Sequence, residues 1–382
     1  MNFRSYEIKD ICKIKSGKRL PKGTDFSEKP TKHKYIRARD IKNGKIDGSD
    51  LGYISEETQK KIERYIVNTN DIIITIAGTI GEVALVSKKF DGVNLTENAV
   101  RLTEFSKDVC PEFLAYILKS PERKEYMEQV AGGSAQPKLG IYKIEAIKVD
   151  LPDVQIQHKI ADILSAYDNL IENNQRQIKL LEEAAQRLYK EWFVDLRFPG
   201  RENTKIVDGV PKGWSRTNIN EILTFHRGYD LTKNEMKAGR YPVVGSTTVI
   251  GYHNEFKIKG PGIVTGRSGS LGKYQFIWDN FWPHNTSLYI SDYKDHNIFF
   301  VYSLLQTVDF TSLNNGGAIP TLNRNVLSNI EVIEPEKKLQ DMFATITEAQ
   351  YRKIRNLEKQ NDRLKTARDL LLPKLMSGEV EV

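Results

Sequence analysis

Two stretches of the chain repeat apolar residues at alternating steps of three and four. In the first, Leu164, Tyr167, Ile171, Asn174, Ile178, Leu181, Ala185, Leu188 and Trp192 share one frame; in the second, Ile354, Leu357, Asn361, Leu364, Arg368 and Leu371 do. Sustained heptads predict long helices that pair as a coiled coil. Each seam contains one asparagine. An antiparallel pairing with Asn174 against Asn361 sets Ile171 opposite Leu364, Ile178 opposite Leu357, Leu181 opposite Ile354 and Leu164 opposite Leu371. All those layers are apolar on both sides. Two facing amides satisfy each other, whereas an amide facing a leucine loses hydrogen bonds at about 1–3 kcal/mol. The alternative is two amphipathic helices lying separately on globular cores.

Ahead of each helical stretch the pattern changes to short β-branched runs between glycine turns, which predicts strands. These regions are two copies of one unit. "GGSAQPKLGIYKIEAIKVDLP" (Gly132–Pro152) and "GGAIPTLNRNVLSNIEVIEP" (Gly316–Pro335) share a Gly-Gly turn, a proline, a leucine, an Ile-x-Val strand and a closing proline. An offset of 183 residues pairs Ile147 with Ile330, Val149 with Val332, Pro152 with Pro335 and Gln157 with Gln340. Further upstream, "DIIITIAGTIGEVAL" (Asp71–Leu85) matches "GIVTGRSGSLGKYQF" (Gly262–Phe276). "IKDICKIKSGKRL" (Ile8–Leu20) matches "INEILTFHRGYDL" (Ile219–Leu231), and Glu97–Asn98 falls on His284–Asn285. The predicted fold is α+β: two similar α/β domains separated by two long antiparallel helices, with a pseudo-two-fold internal repeat. The expected boundaries are a first domain at 1–152, a helix at 153–196, a Pro/Gly-rich linker at 197–213, a second domain at 214–335, and a helix with a C-terminal tail at 336–382.

The net charge of +7 and pI near 9.0 permit a nucleic-acid partner. The charge is concentrated at the start, where residues 1–45 hold 14 Lys and Arg against 5 Asp and Glu. No apolar run approaches the roughly 20 residues of a membrane span, and the N-terminus lacks the apolar core of a signal peptide. Cytoplasm is the expected location. Cys12 and Cys110 suggest neither a disulfide framework nor a zinc cluster. We find no phosphate loop, HExxH motif or Cys/His cluster, and no adenine-methyltransferase or nuclease signature. Asp71 and Glu82 flank a strand and turn and are expected to be structural. The expectation is a chain without catalysis or a bound metal.

"RLYKEWFVDLRFPG" (Arg187–Gly200), "VPKGWSRTNINEI" (Val210–Ile222) and "RDLLLPKLMSGEVEV" (Arg368–Val382) resemble the specificity subunit of type I restriction–modification systems, and the resemblance runs over the whole chain. It implies two target recognition domains, each reading one half of a bipartite, asymmetric site in double-stranded DNA. It implies that the helices set the spacer and dock two modification subunits. S-adenosylmethionine, ATP and Mg2+ then belong to the modification and restriction subunits, with none bound by this chain. The rival reading is a coiled-coil scaffold without sequence-specific DNA binding.

Such a reader needs Lys and Arg for phosphates and Arg, Asn, Gln, Ser and Thr for base edges. In the first domain the candidates are Lys18, Arg19, Arg37, Arg39, Thr79, Gln136 and Lys138. Arg37 and Arg39 lie in a strand-like run and would share a face, unless Asp40 or Glu28 pairs with them. In the second domain they are Arg227, Tyr229, Ser246, Thr247, Arg267, Ser268, Ser270, Asn323 and Arg324. Arg267 sits between glycines, where a small backbone can approach phosphate closely; its plainer role is a solvated arginine on a tight turn.

Overall fold

The computed structural model describes residues 2–132, 137–267, 272–308 and 330–382. Two compact units result, one of Met1–Ile171 with Arg363–Val382 and one of Glu172–Asp362. Both divisions fall inside long helices, Val154–Tyr189 and Lys337–Ser377, and not where the pattern changes from strand to helix.

The first unit contains β1 (Arg4–Glu7), β2 (Lys13–Ser16), β3 (His33–Ile36), β4 (Ile41–Lys42), β5 (Lys45–Ile46), β6 (Gly52–Ile54), β7 (Ile72–Thr75), β8 (Val83–Leu85), β9 (Asn94–Leu95), β10 (Ala99–Thr103) and β11 (Lys148–Leu151). Its main sheet is antiparallel in the order β2-β10-β7-β8. A second sheet runs β6-β3-β9, and β1 pairs with β11. The Ile72-Ile73-Ile74 run is buried on both faces because successive side chains of a strand point opposite ways. Ile72 and Ile74 join Phe113, Leu114 and Leu164 in one core; Ile73 joins Ile36, Ala84 and Ala99 in another. The C-terminal stretch completes the first core through Leu371, Leu372 and Leu375.

The second unit repeats this plan. After a hairpin of β12 (Ile206–Val207) and β13 (Val210–Pro211) come β14 (Ser215–Asn218), β15 (Thr224–Arg227), β16 (Tyr241–Val244), β17 (Val249–His253), β18 (Gly262–Gly266), β19 (Tyr274–Ile277), β20 (Trp282–Pro283), β21 (Ser287–Asp292) and β22 (Glu331–Glu334). The orders are β15-β21-β18-β19, β17-β16-β20 and β14-β22. They reproduce those of the first unit strand for strand, including the single parallel pair in the smaller sheet.

Residues 197–213, expected to be a linker, contain the hairpin of β12 and β13. Asp208 and Gly209 both take positive φ, 51° and 76°, the two-residue turn that matches hairpin twist. Phe198 stacks on Trp214 with centroids 4.8 Å apart, and Phe193 lies 5.4 Å from Phe300 and 5.3 Å from Phe343. The aromatic stretch after the first helix is therefore core, with Trp192 buried against Phe343 in a π-turn at Lys190–Val194.

The helix seam has the expected register. In the second unit Asn174 donates to Asn361 Oδ1 at 2.9 Å and to Gln360 Oε1 at 3.1 Å, and both asparagines are buried. Ile178 and Leu181 join one cluster with Ile354, and Leu357 is buried. In the first unit Leu164 and Leu371 share a core, Ile171 is buried and Leu364 half-buried. There Asp168 accepts from Arg368 and from Tyr116 Oη, the latter at 2.7 Å. Within each unit the helical segments run antiparallel. Their entries are twins: buried Gln157 donates to Pro152 O and buried Gln340 to Pro335 O, each at 2.8 Å.

Candidate nucleic-acid interface

Backbone hydrogen bonds gather several of the candidates of each unit around one turn. In the first unit the turn is Thr96–Asn98, between β9 and β10. Lys18 N–H donates to Leu95 O at 2.9 Å, Gly17 N–H to Ala99 O at 3.1 Å, and Ile76 N–H to Asn98 O at 2.8 Å. A Cβ on Gly17 would stand 2.0 Å from Thr96 O, so only glycine permits this approach. Exposed Arg19 reaches the same turn and donates from Nε to Glu97 Oε1 at 2.6 Å. Burial pushes the Glu97 carboxyl up, but hydrogen bonds from Arg19 and others outweigh it and hold the group below its ordinary value. Lys138 lies alongside, bridged to Ala77. Ala77 leads into the turn that exposes Thr79, with Gly78 and Gly81 at φ of 80° and 79°.

Arg37 and Arg39 differ from the expectation. β3 ends at Ile36 and Ala38–Asp40 form a 3-10 turn, so the two do not share a strand face. Arg37 is only 18% exposed, and its guanidinium makes a two-pronged bond to Asp40 at 2.9 and 2.8 Å and also reaches Asp50. The pairing with Asp40 accounts for Arg37. Arg39 is 68% exposed and lies 3.4 Å from the outlying Asp50 and 4.0 Å from Asp40.

In the second unit the turn is His284–Thr286. Tyr229 N–H donates to Pro283 O at 2.8 Å, Gly228 N–H to Ser287 O at 3.0 Å, and Arg267 N–H to Thr286 O at 3.2 Å. Ser246 Oγ donates to Thr286 O at 2.8 Å and Arg227 Nε to Asn285 O at 3.4 Å. Thr247 is exposed beside Ser246. Gln136, Ser268, Ser270, Asn323 and Arg324 lie outside the described residues.

Matching bonds correct the alignment of the two turns by one residue. Gly17 corresponds to Gly228 and Lys18 to Tyr229. Thr96 corresponds to His284, Glu97 to Asn285 and Asn98 to Thr286. Arg19 then corresponds to Asp230. The first unit places an Arg19–Glu97 ion pair where the second has Asp230 accepting from the Asn285 amide. One backbone frame thus carries a cation and an anion at the same loop position.

Behind the second turn Tyr229 stands in an aromatic group whose other members were not singled out in the sequence. Tyr229 Oη and Tyr289 Oη lie 2.9 Å apart, the His226 ring stacks on Tyr229, and the Lys257 ammonium lies 4.7 Å from the Trp282 ring. Asp71 and Glu82 are structural as expected: Asp71 accepts from buried Arg101 at 2.8 Å and from Asn68 N–H, and Glu82 pairs with Lys124. Among the described residues no helix is long and apolar enough to cross a membrane.

This duplicated frame of loops on short sheets, each followed by a long helix, is the architecture of a two-domain recognition protein. The sequence model of the type I restriction modification DNA specificity domain matches residues 2–183 and 211–366, and the chain belongs to that family. It is 28% identical over 360 residues to the type I restriction enzyme MjaIX specificity subunit of Methanocaldococcus jannaschii, covering 86% of this chain and 82% of that one. It is 22% identical to the HindI specificity subunit of Haemophilus influenzae over 99% of this chain and all of the other. A crystal structure of the S subunit of a type I restriction–modification system from M. genitalium shares the fold. The TM-score is 0.66 at 19% identity, over 98% of this chain and 96% of that one.

Proposed function

We propose that the chain is the sequence-specific DNA-binding specificity subunit of a type I restriction–modification complex, with each unit reading one half of a bipartite site. One observation carries the reading of two different halves: matching hydrogen-bond frames present different side chains, Arg19 on Glu97 against Asp230 on Asn285. A shared frame docks both units on duplex DNA in the same manner, while sequence is read by whatever side chains the frame presents. The subunit itself catalyses nothing. Two modification subunits that bind S-adenosylmethionine dock on the long helices, and restriction subunits using ATP and Mg2+ join the assembly. The helices set the number of unread base pairs between half-sites.

The test exchanges Phe3–Val149 for the corresponding region of a relative and maps methylated adenines in host DNA. One half of the methylated motif is expected to change while the other half and the spacer stay. A motif changed in both halves, or methylation that does not depend on this chain, overturns the proposal.

A further inference from the structure

Each unit contains a lysine poised over an aromatic ring at the same junction of the frame, with the partners exchanged. In the first unit Lys18 follows β2, and its ammonium lies 5.7 Å from the centre of the Tyr65 ring. Tyr65 belongs to the segment alongside β9, where Leu95 N–H donates to Tyr65 O at 2.9 Å and Val67 N–H to Val93 O at 2.9 Å. In the second unit the residue equivalent to Lys18 is Tyr229. The cation over it, at 5.9 Å, is Lys257, from the segment alongside β20, where Ile258 N–H donates to Phe281 O at 3.0 Å. The loop supplies the lysine in one copy and the ring in the other.

We infer that Lys18 and Lys257 are equivalent phosphate contacts, one per unit, that hold DNA without reading its sequence. The inference rests on the DNA-reading function proposed above. An exposed cation–π pair is a weak contact, too weak to explain on stability grounds why the pair is present in both orientations. What both arrangements share is a fixed positive charge at one place. Among the described residues neither ammonium has a carboxylate partner. Other lysines of the first unit do: Lys13 and Lys15 pair with Glu104, and Lys42 with Asp47. The nearby acids are otherwise engaged, Glu97 by Arg19 and Asp230 by Asn285. A ring under the stem restricts a flexible side chain before binding and so lowers the ordering cost of gripping a phosphate. A lysine acts as a point charge without the fork that reads guanine, which suits a contact both units need alike. Base-reading positions should differ between copies, and this charge does not.

The experiment measures binding of the full chain, assembled with its modification subunits, to two duplexes over a salt series. One duplex carries the mapped motif and the other a scrambled sequence. Lys257→Met and Lys18→Met are each expected to weaken both duplexes by the same factor. Each should reduce the slope of log K against log salt by about 0.9, one phosphate contact. The methylated motif should stay unchanged, and Lys257→Arg should restore the slope. Binding equal to wild type, or a loss confined to the motif duplex, overturns the assignment and leaves the DNA-reading function standing. A wild-type assembly that does not distinguish the two duplexes overturns both.

Discussion

Asn174 and Asn361 form a buried polar layer between apolar ones, and replacing them singly and together measures what that layer does. Asn174→Leu removes the donor that Asn361 Oδ1 accepts at 2.9 Å and that Gln360 Oε1 accepts at 3.1 Å. The Asn361 amide, in a nearly dry position, then faces a leucine. A buried polar group left without its partner costs about 1–3 kcal/mol, and Asn361→Leu should cost a similar amount. The double replacement leaves no stranded amide and adds an apolar layer, so it should equal or exceed wild type in stability. The interaction energy between the two sites is then at least about 2 kcal/mol, in the upper part of the usual range or above it. Urea unfolding of all four proteins under one condition supplies the cycle. Cysteines at Leu181 and Ile354, residues of one cluster in the native register, report whether the double variant also crosslinks in slipped registers. A polar seam residue is expected to trade stability for register. Additive single replacements would refute the shared layer, as would a double variant less stable than either single one.

Arg37→Ala should destabilise the first unit by about 1–3 kcal/mol, because it takes the two-pronged guanidinium from the buried Asp40 carboxylate and leaves it the backbone N–H of residue 37. Arg39→Ala should leave the unfolding midpoint unchanged and act, if at all, on DNA affinity; equal destabilisation by both would contradict their different burial. Lys119 supplies a pH test. Burial pushes its ammonium down to about 8, against about 10.4 in an unfolded chain. Below about pH 8 both states are protonated and the cost of burying the charge is fully present. Between about 8 and 10.4 the unfolded chain binds more protons, so this group's contribution rises with pH. Lys119→Met should therefore exceed wild type in stability by most below pH 8, with the gap closing toward pH 10.4; a gap independent of pH would refute the cause.

The helix seam was legible in the sequence because heptad spacing is a local property, and a single asparagine in each frame specifies the register. The repeat was legible for a similar reason: strands, glycine turns and closing prolines recur in order, and each is written in a few adjacent residues. The 208–209 hairpin was equally local. Its Asp-Gly pair between valines signals a two-residue turn, and the Pro/Gly count around it concealed the strands. Side-chain partners were not legible. Arg37 and Arg39 look alike in the chain, and only the turn at Ala38–Asp40 directs one onto a buried carboxylate and the other outward. Asp71 and Arg101, 30 residues apart, became an ion pair only when β7 and β10 were laid side by side. The pairing of Lys18 with Tyr229 and Arg19 with Asp230 was legible in the linear alignment, whereas that of Glu97 with Asn285 came from hydrogen bonds across the sheets, because loops of different length had shifted the alignment there by one residue. Short-range periodicity determines elements and their pairing frames. Which charge stands free and which is neutralised depends on residues far apart in sequence, and only the tertiary structure decides it.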